Sequence, residues 1–112
     1  TGNNRKGWYF MDIIYTCPLE LTQKVISKKW TAILLWRLRV GKQRVKDFKN
    51  DIKGCNEKML IQHLNSLLKD GFIGKLEYDV YPKKTEYYLT EKGEALLPVL
   101  KLMQEYGREY LI

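Results

Sequence analysis

Residues 44–71, RVKDFKNDIKGCNEKMLIQHLNSLLKDG, carry the clearest structural pattern in the chain. The second half of this stretch carries leucines at the spacing of one helical face: Leu60, Leu64, Leu67 and Leu68. The other face carries polar side chains within about 60° of each other: Lys58, Gln62, Asn65 and Lys69. The pattern predicts an amphipathic helix over residues 57–69 that turns its leucines toward a core.

A shorter basic helix precedes it. Val45 and Phe48 are predicted to turn inward, with Ile52 as a further candidate. Gly54 breaks this helix, and Asn56 suits the N-cap of the next one. Two helices joined by a short turn, with a polar outer face on the second, indicate a helix-turn-helix over about 43–70. In that arrangement the second helix enters the major groove of DNA.

The hydrophobic period changes after Gly71. Residues 72–80 alternate loosely and are rich in aromatic and β-branched side chains, residues 81–84 read as a turn, and residues 85–90 as a second strand. The pattern predicts a β-hairpin over about 72–89 with a basic tip at Lys83 and Lys84, beside Tyr81. A hairpin directly after a helix-turn-helix is typical of a winged helix.

Helices are predicted on both flanks of this unit. Pro18 suits the first position of a helix, with Cys17 as its cap. Residues 30–39 are apolar nearly all round, which predicts a buried helix that ends at Gly41. Thr90 is expected to cap a long last helix over about 91–111, bent at Pro98. The fold class is therefore α+β and mostly helical, in a single domain over residues 1–112.

Charge and composition limit the function. The chain has 20 Lys and Arg against 13 acids, a net charge of +7. Residues 24–58 hold eleven bases and three acids, whereas residues 90–112 hold three bases and four acids. This basic middle suggests a surface that meets a polyanion such as double-stranded DNA, and composition alone fits a set of solvated lysines equally well.

Several other classes are disfavoured by what the sequence lacks. One His and two Cys without metal-ligand spacing predict no metal site, and nothing predicts a cofactor. No acid–base pair, nucleophile–base pair or phosphate loop indicates an enzyme. No apolar run reaches the ~20 residues of a membrane span, and the first residues do not resemble a signal peptide, so we expect a cytoplasmic protein.

Two sets of side chains are predicted to contact DNA. Donors and acceptors on the second helix suit base edges, and Ile61 suits a thymine methyl. This base-reading set is Asn56, Lys58, Ile61, Gln62 and Asn65. The predicted phosphate-contacting set is Arg44, Lys46, Lys49, Lys75, Lys83 and Lys84.

These motifs together resemble the HxlR-type (MarR-like) winged helix-turn-helix transcriptional regulators. The resemblance is carried by CPLELTQKVISKKWTAILLWRL (17–38), by residues 44–73, and by YPKKTEYYLTEKGEALLPVL (81–100). It implies a homodimer joined through N- and C-terminal helices that binds inverted-repeat operators, mostly as a repressor and sometimes as an activator. The chain departs from the family at Asn56, Lys75 and Tyr106, where Ser, Arg and Trp are more usual.

The last helix itself points to a dimer. Its apolar stripe is wider than one intrachain contact needs, and the segment 8–11 adds an aromatic cluster, which together would leave a large exposed patch on a monomer. A two-fold dimer would place the two copies of the helix at residues 57–69, the reading helix, about 34 Å apart in successive major grooves. The predicted interface is Trp8, Phe10, Leu100, Met103, Tyr106 and Tyr110.

Cys17 has two interpretations. It is either a small structural residue or a sensor, because a helix N-terminus favours the thiolate. Members of the resembled family with a Cys here respond to quinones, aldehydes or oxidants, sometimes through a disulfide across the dimer. Cys55, in the turn before the reading helix, is a weaker candidate, and a link between Cys17 and the partner's Cys55 is less favoured still.

Two alternative functions remain open at this point. One is a small-molecule-responsive regulator with incidental cysteines, its ligand held by aromatic side chains near the dimer seam. Trp30 and Trp36 are, however, better explained as core, and His63 as a solvated flank residue. The other is a winged-helix module for protein–protein contact, which Lys58 and the basic hairpin tip argue against.

Overall fold

The computed structural model describes residues 17–112. Trp8 and Phe10, which were predicted at the dimer interface, lie outside the described residues. The described part forms these elements in order: α1 (Pro18–Ile26), α2 (Lys29–Arg37), α3 (Val45–Asp51), α4 (Glu57–Lys69), β1 (Ile73–Tyr78), β2 (Lys84–Leu89), α5 (Glu91–Glu94) and α6 (Leu97–Tyr110). The predicted fold class is confirmed: a mostly helical chain with a two-stranded antiparallel sheet.

The core forms around α2. Leu34 and Leu35 of α2 have no exposed surface, and neither have Leu60 and Leu64 of α4. Phe48 of α3 closes the same cluster. Because each of the three helices contributes its apolar side, the polar sides of α3 and α4 remain at the surface. Trp30 and Trp36 are half-buried and pack against this core.

The end of α2 differs slightly from the prediction. The α-helix ends at Arg37, and residues Leu38–Val40 form one 3-10 turn. Gly41 follows with φ +131°, a conformation that L side chains rarely adopt, so glycine ends the helix as expected. Leu38 is buried and continues the core beyond the α-helical part.

The two strands form an antiparallel hairpin in which Ile73 pairs with Leu89 and Tyr78 with Lys84. The segment before α3 joins this sheet through one residue pair. Gln43 N–H donates to Tyr87 O at 3.0 Å, and Tyr87 N–H donates to Gln43 O at 2.8 Å. The hairpin is therefore fastened to the entry of the helix-turn-helix as well as to its exit.

The prediction of one long last helix, bent at Pro98, was wrong. This last part of the chain consists of the short α5 and the separate α6, and Pro98 lies in the first turn of α6 rather than inside a continuous helix. Proline is tolerated in a first turn because the N–H that it lacks has no helical partner there. Thr90 caps α5 as predicted, since its hydroxyl accepts from Gly93 N–H at 3.3 Å and donates to Gly71 O at 2.6 Å.

Candidate nucleic-acid interface

The start of α4 is fixed by Asn56. Its side-chain Oδ1 accepts the backbone N–H of Met59 at 2.9 Å, and its backbone is extended, as an N-cap requires. Gly54, with φ +85°, makes the turn that leads to this cap. The cap uses one of the two lone pairs of Asn56 Oδ1, and the side chain also carries two amide N–H donors.

The outer face of α4 presents the rest of the base-reading set. Lys58, Gln62 and Asn65 are exposed, and Ile61 is 38% exposed at the margin. Leu60, Leu64 and Leu67 are buried on the opposite side. His63 is half-buried on the flank of the helix. The amphipathic prediction for α4 is confirmed by this division, which turns one uninterrupted polar strip outward.

The shorter helix α3 is supported at both of its ends. Asp47 accepts the backbone N–H of Arg44 at 2.8 Å, which supports the first turn of α3. Arg37 donates to Asp51 O at 3.1 Å and satisfies a carbonyl in its last turn. Between the helices, Lys49 Nζ lies 3.8 Å from Glu57 Oε1. Of the predicted phosphate contacts on this helix, Lys49 thus already has an anionic neighbour.

The hairpin is less basic than its tip suggests. Residues 73–89 contain three bases and three acids, so that their net charge is zero. Lys75 and Lys83 both lie near Glu77 Oε2, at 3.5 and 3.8 Å, and Lys84 lies 3.9 Å from Glu86 Oε2. The expectation of a basic hairpin holds for the pair Lys83 and Lys84 but not for the hairpin as a whole.

Tyr78 and Glu86 form the best-defined polar contact in the hairpin. The Tyr78 hydroxyl donates to Glu86 Oε1 at 2.7 Å. This hydrogen bond, with some desolvation and the negative charge of Glu86, raises the pKa of Tyr78 above its ordinary value. Lys84 Nζ lies 4.7 Å from the centre of the Tyr78 ring, so the three side chains form one contact group on the hairpin.

The apolar stripe of α6 divides into a buried and an exposed part. Leu100 is only 4% exposed and belongs to the core of the single chain, so its assignment to a dimer interface was wrong. Met103, Tyr106 and Tyr110 are exposed, and the rings of the two tyrosines lie 5.0 Å apart. The part of the stripe beyond Leu100 therefore faces outward.

The two cysteines have different surroundings. Cys17 is exposed at the N-cap position of α1, with extended backbone and no side-chain cap. Cys55 is half-buried in the turn before α4, where its thiol donates to Ile52 O at 3.0 Å. The turn geometry thus engages the thiol of Cys55, while that of Cys17 faces solvent.

Two further observations concern residues 17–112. No cluster of three or more His, Cys, Asp or Glu side chains suited to a metal lies among them, and none of their helices has the length and apolarity to span a membrane. A groove of about 560 Å³ runs between α2 and α6, lined by Ile33, Trp36, Arg39 and Met103 among others. This groove, which contains the ring of Trp36, is one candidate location for the ligand of the small-molecule alternative.

A capped amphipathic helix with a polar outer strip, a supporting basic helix and a following hairpin define a winged helix-turn-helix, the class of DNA-binding transcriptional regulators. Comparison with known proteins specifies the class further. The model of the HxlR-like helix-turn-helix family matches residues 25–112, and the chain belongs to that family. The resemblance drawn from the sequence motifs is confirmed, and the members it resembles are regulators rather than enzymes.

Three relatives illustrate the match. The Fusobacterium mortiferum protein named "Putative regulatory protein MalR" is 40% identical over 96 residues, which cover 85% of this chain and 91% of MalR. The redox regulator HypR in its reduced form is 35% identical with a TM-score of 0.79, over 83% of this chain and 92% of HypR. Reduced YodB of Bacillus subtilis is 28% identical with a TM-score of 0.74, over 87% of this chain and 96% of YodB.

Sequence reasoning missed some residues that shape this surface. Arg37 was counted only as a charge. Its guanidinium, at the end of α2, donates to Asp51 O at the end of α3, 14 residues further along the chain. Glu77 was overlooked among the lysines of the hairpin. Its place two residues after Lys75 on one strand was a signal that both side chains share a face of the sheet.

Proposed function

We propose that this chain is a homodimeric, sequence-specific transcriptional regulator, acting as a repressor, that reads an inverted-repeat operator with the outer face of α4. The observation that carries the proposal is the polar strip of Lys58, Gln62 and Asn65, exposed on a helix whose other side is fully buried. Repression is the more frequent mode in the family that the motifs resemble. Such a protein works where the chromosome is, in the cytoplasm.

Roles within the interface follow from side-chain chemistry. Gln62 and Asn65 each offer a donor and an acceptor, which suits the N6 and N7 edge of adenine, and Lys58 suits guanine. Arg44 and Lys46, at the start of α3, have no carboxylate within ion-pairing distance among the described residues, so they are our primary phosphate contacts. Lys49, Lys75, Lys83 and Lys84 would contact phosphates after leaving an acidic neighbour.

Dimerisation through α6 supports this mode of binding. The exposed side chains of Met103, Tyr106 and Tyr110 form an apolar surface that a second copy would cover. A two-fold axis through this contact makes the protein symmetric, and an inverted repeat has the same symmetry. Two reading helices then bind one operator together, which a monomer does not do.

Base reading is tested with a single substitution. An operator is first selected from a pool of random duplexes by binding to the wild-type protein. Gln62→Ala is expected to lower affinity for that operator by about 10- to 100-fold, the worth of one bidentate base contact, and to leave random duplex within about twofold. Fluorescence anisotropy with labelled duplexes measures both.

Gln23→Ala, on the exposed surface of α1, is the matched control and should bind both duplexes like the wild type. An equal loss on operator and random DNA for Gln62→Ala would show that Gln62 does not read a base.

We further propose that Cys17 is the site through which electrophiles release the regulator from DNA. Cys17 is exposed at the N-cap position of α1, where its thiol is accessible to a reagent in solution. Among the relatives, HypR has structures in a reduced and an oxidised form, and a structure of YodB was obtained after diamide treatment. A quinone would add to the sulfur to give a thioether, with the ring becoming a hydroquinone.

Benzoquinone is expected to release wild-type protein from its operator within the time that mass spectrometry shows one adduct at Cys17. Cys17→Ser should stay bound under the same treatment, and Cys55→Ser should be released like the wild type. Equal release of Cys17→Ser would exclude the sensing role and leave the DNA-binding proposal intact.

A further inference from the structure

The hairpin contains as many acidic side chains as basic ones. Its three bases are matched by three acids in residues 73–89, and every one of the three lysines lies within 4 Å of a carboxylate. The region 42–58 differs, since its six bases face three acids. The hairpin therefore meets a DNA phosphate with no net charge, although it follows directly after a basic helix-turn-helix.

Glu77 is the centre of this neutralisation. It lies on β1 two residues after Lys75, and the antiparallel register places it opposite Thr85, two residues after Lys83. Residues related in this way project from the same face of the sheet. Its Oε2 is 3.5 Å from Lys75 Nζ and 3.8 Å from Lys83 Nζ, so a single carboxylate holds two predicted phosphate contacts.

We propose that Glu77 is an intramolecular competitor of DNA phosphates, which limits how tightly the hairpin binds any duplex. The proposal rests on the proposed DNA-binding function. A carboxylate and a phosphate are both anions that accept from a lysine ammonium, so either of the two occupies the same donors. The lysines have to exchange one for the other, and Glu77 then stays beside the phosphates as a repelling charge.

Glu77 also affects how strongly the affinity for DNA depends on the salt concentration. Lysines that neutralise phosphates displace condensed counterions, and each such contact adds about 0.9 to the slope of log affinity against log salt. The single charge of Glu77 offsets one of the two positive charges that Lys75 and Lys83 bring to the duplex. Glu77 is therefore expected to reduce the salt dependence of the whole protein, together with its affinity.

The substitution Glu77→Gln keeps the size and shape of the side chain and removes its charge. Exposed ion pairs are individually weak, each worth less than about tenfold. Glu77→Gln is expected to raise affinity for a random 20-base-pair duplex by about three- to tenfold in low salt. Its salt slope should be steeper than that of the wild type by roughly one unit. Fluorescence anisotropy from 50 to 200 mM salt measures both values.

Glu105→Gln is the matched control, because it removes the same charge from an exposed position on α6, outside the hairpin and the helix-turn-helix. It should leave the affinity within about twofold. A second test places Glu77→Gln in a Lys75→Ala/Lys83→Ala background, where the gain should disappear. Thermal unfolding of each variant shows whether the hairpin fold is unchanged.

Three results would overturn the proposal. They are equal gains from Glu77→Gln and Glu105→Gln, a gain that survives without the two lysines, and a loss confined to the operator, which would make Glu77 a base contact instead. The proposed function fails separately, if the wild-type protein selects no operator and Gln62→Ala changes nothing.

Discussion

The helices α4 and α6 have nearly the same length, 13 and 14 residues, and each carries an apolar stripe along one side. They use the stripe in opposite ways. Leu60 and Leu64 of α4 are completely buried inside the chain. On α6 only Leu100 is buried, whereas Leu102 and Tyr106 are 65% and 59% exposed. The same amphipathic pattern thus turns inward in one helix and outward in the other.

Because the two stripes face different ways, packing within one chain stabilises α4, whereas α6 gains stability from contact with a second surface. The apolar side of α4 is completed by α2 and α3 of its own chain, so its place does not depend on protein concentration. The outward side chains Met103, Tyr106 and Tyr110 of α6 are 43%, 59% and 69% exposed, so that only another surface can bury the rest of them. Binding that covers a surface follows mass action, whereas intrachain packing does not.

The largest expected effect comes from charging the outward stripe of α6. Met103→Lys together with Tyr106→Lys places two like charges in the proposed two-fold contact, and the dimer should dissociate. Affinity for a full inverted repeat should fall by about 100-fold or more, because each half-site then binds alone. Sedimentation velocity and anisotropy on the same samples measure the two losses.

Glu105→Lys, on the exposed polar side of α6, is the control and should stay dimeric. A double variant that remains a dimer at the wild-type concentration would show that α6 does not form the contact.

A pair of leucine truncations sharpens the comparison of the helices. Leu64→Ala should lower the free energy of unfolding by about 2–5 kcal/mol at any protein concentration, because it opens a cavity in the core. Leu102→Ala should cost less, and only where the protein is concentrated enough to dimerise. Urea unfolding at two protein concentrations measures the loss of each variant relative to the wild type. If both losses change equally with protein concentration, the distinction between the two helices is contradicted.

The smallest expected effect concerns how α4 begins. Asn56→Ala removes the side chain that accepts Met59 N–H and should cost about 1 kcal/mol of stability. Asn65→Ala, on the exposed strip of the same helix, should change stability by less than about 0.5 kcal/mol and weaken only operator binding. Thermal unfolding compares the two; equal stability losses would mean that the cap is not what fixes the start of α4.

The sequence made α4 and the hairpin predictable because their signals are local. Leucine spacing defines the inner side of α4, Gly54 and Asn56 define its start, and a change of period defines the strands. Pro98 shows the limit of such signals. Its position within an apolar run indicated a bend, but whether proline bends a helix or begins one depends on where the previous helix stops.

The remaining differences depend on tertiary structure. A stripe as wide as that of α6 has two sides, and only packing against α2 decides that Leu100 faces the core while Met103 does not. The contact between Glu77 and Lys75 was visible in their spacing along one strand. The contact between Glu77 and Lys83 required the register of the hairpin, which sequence alone left open.

The paired hydrogen bonds between Gln43 and Tyr87 have a mechanical consequence. They join the hairpin to the residue that leads into α3. The hydrogen bonds therefore restrict changes in the distance between the hairpin and the helix-turn-helix. In the proposed DNA-binding mode, a duplex whose groove differs from that spacing has to bend or change its groove width. Since the energy of such a deformation depends on base sequence, this mode would select operators at base pairs that no side chain touches.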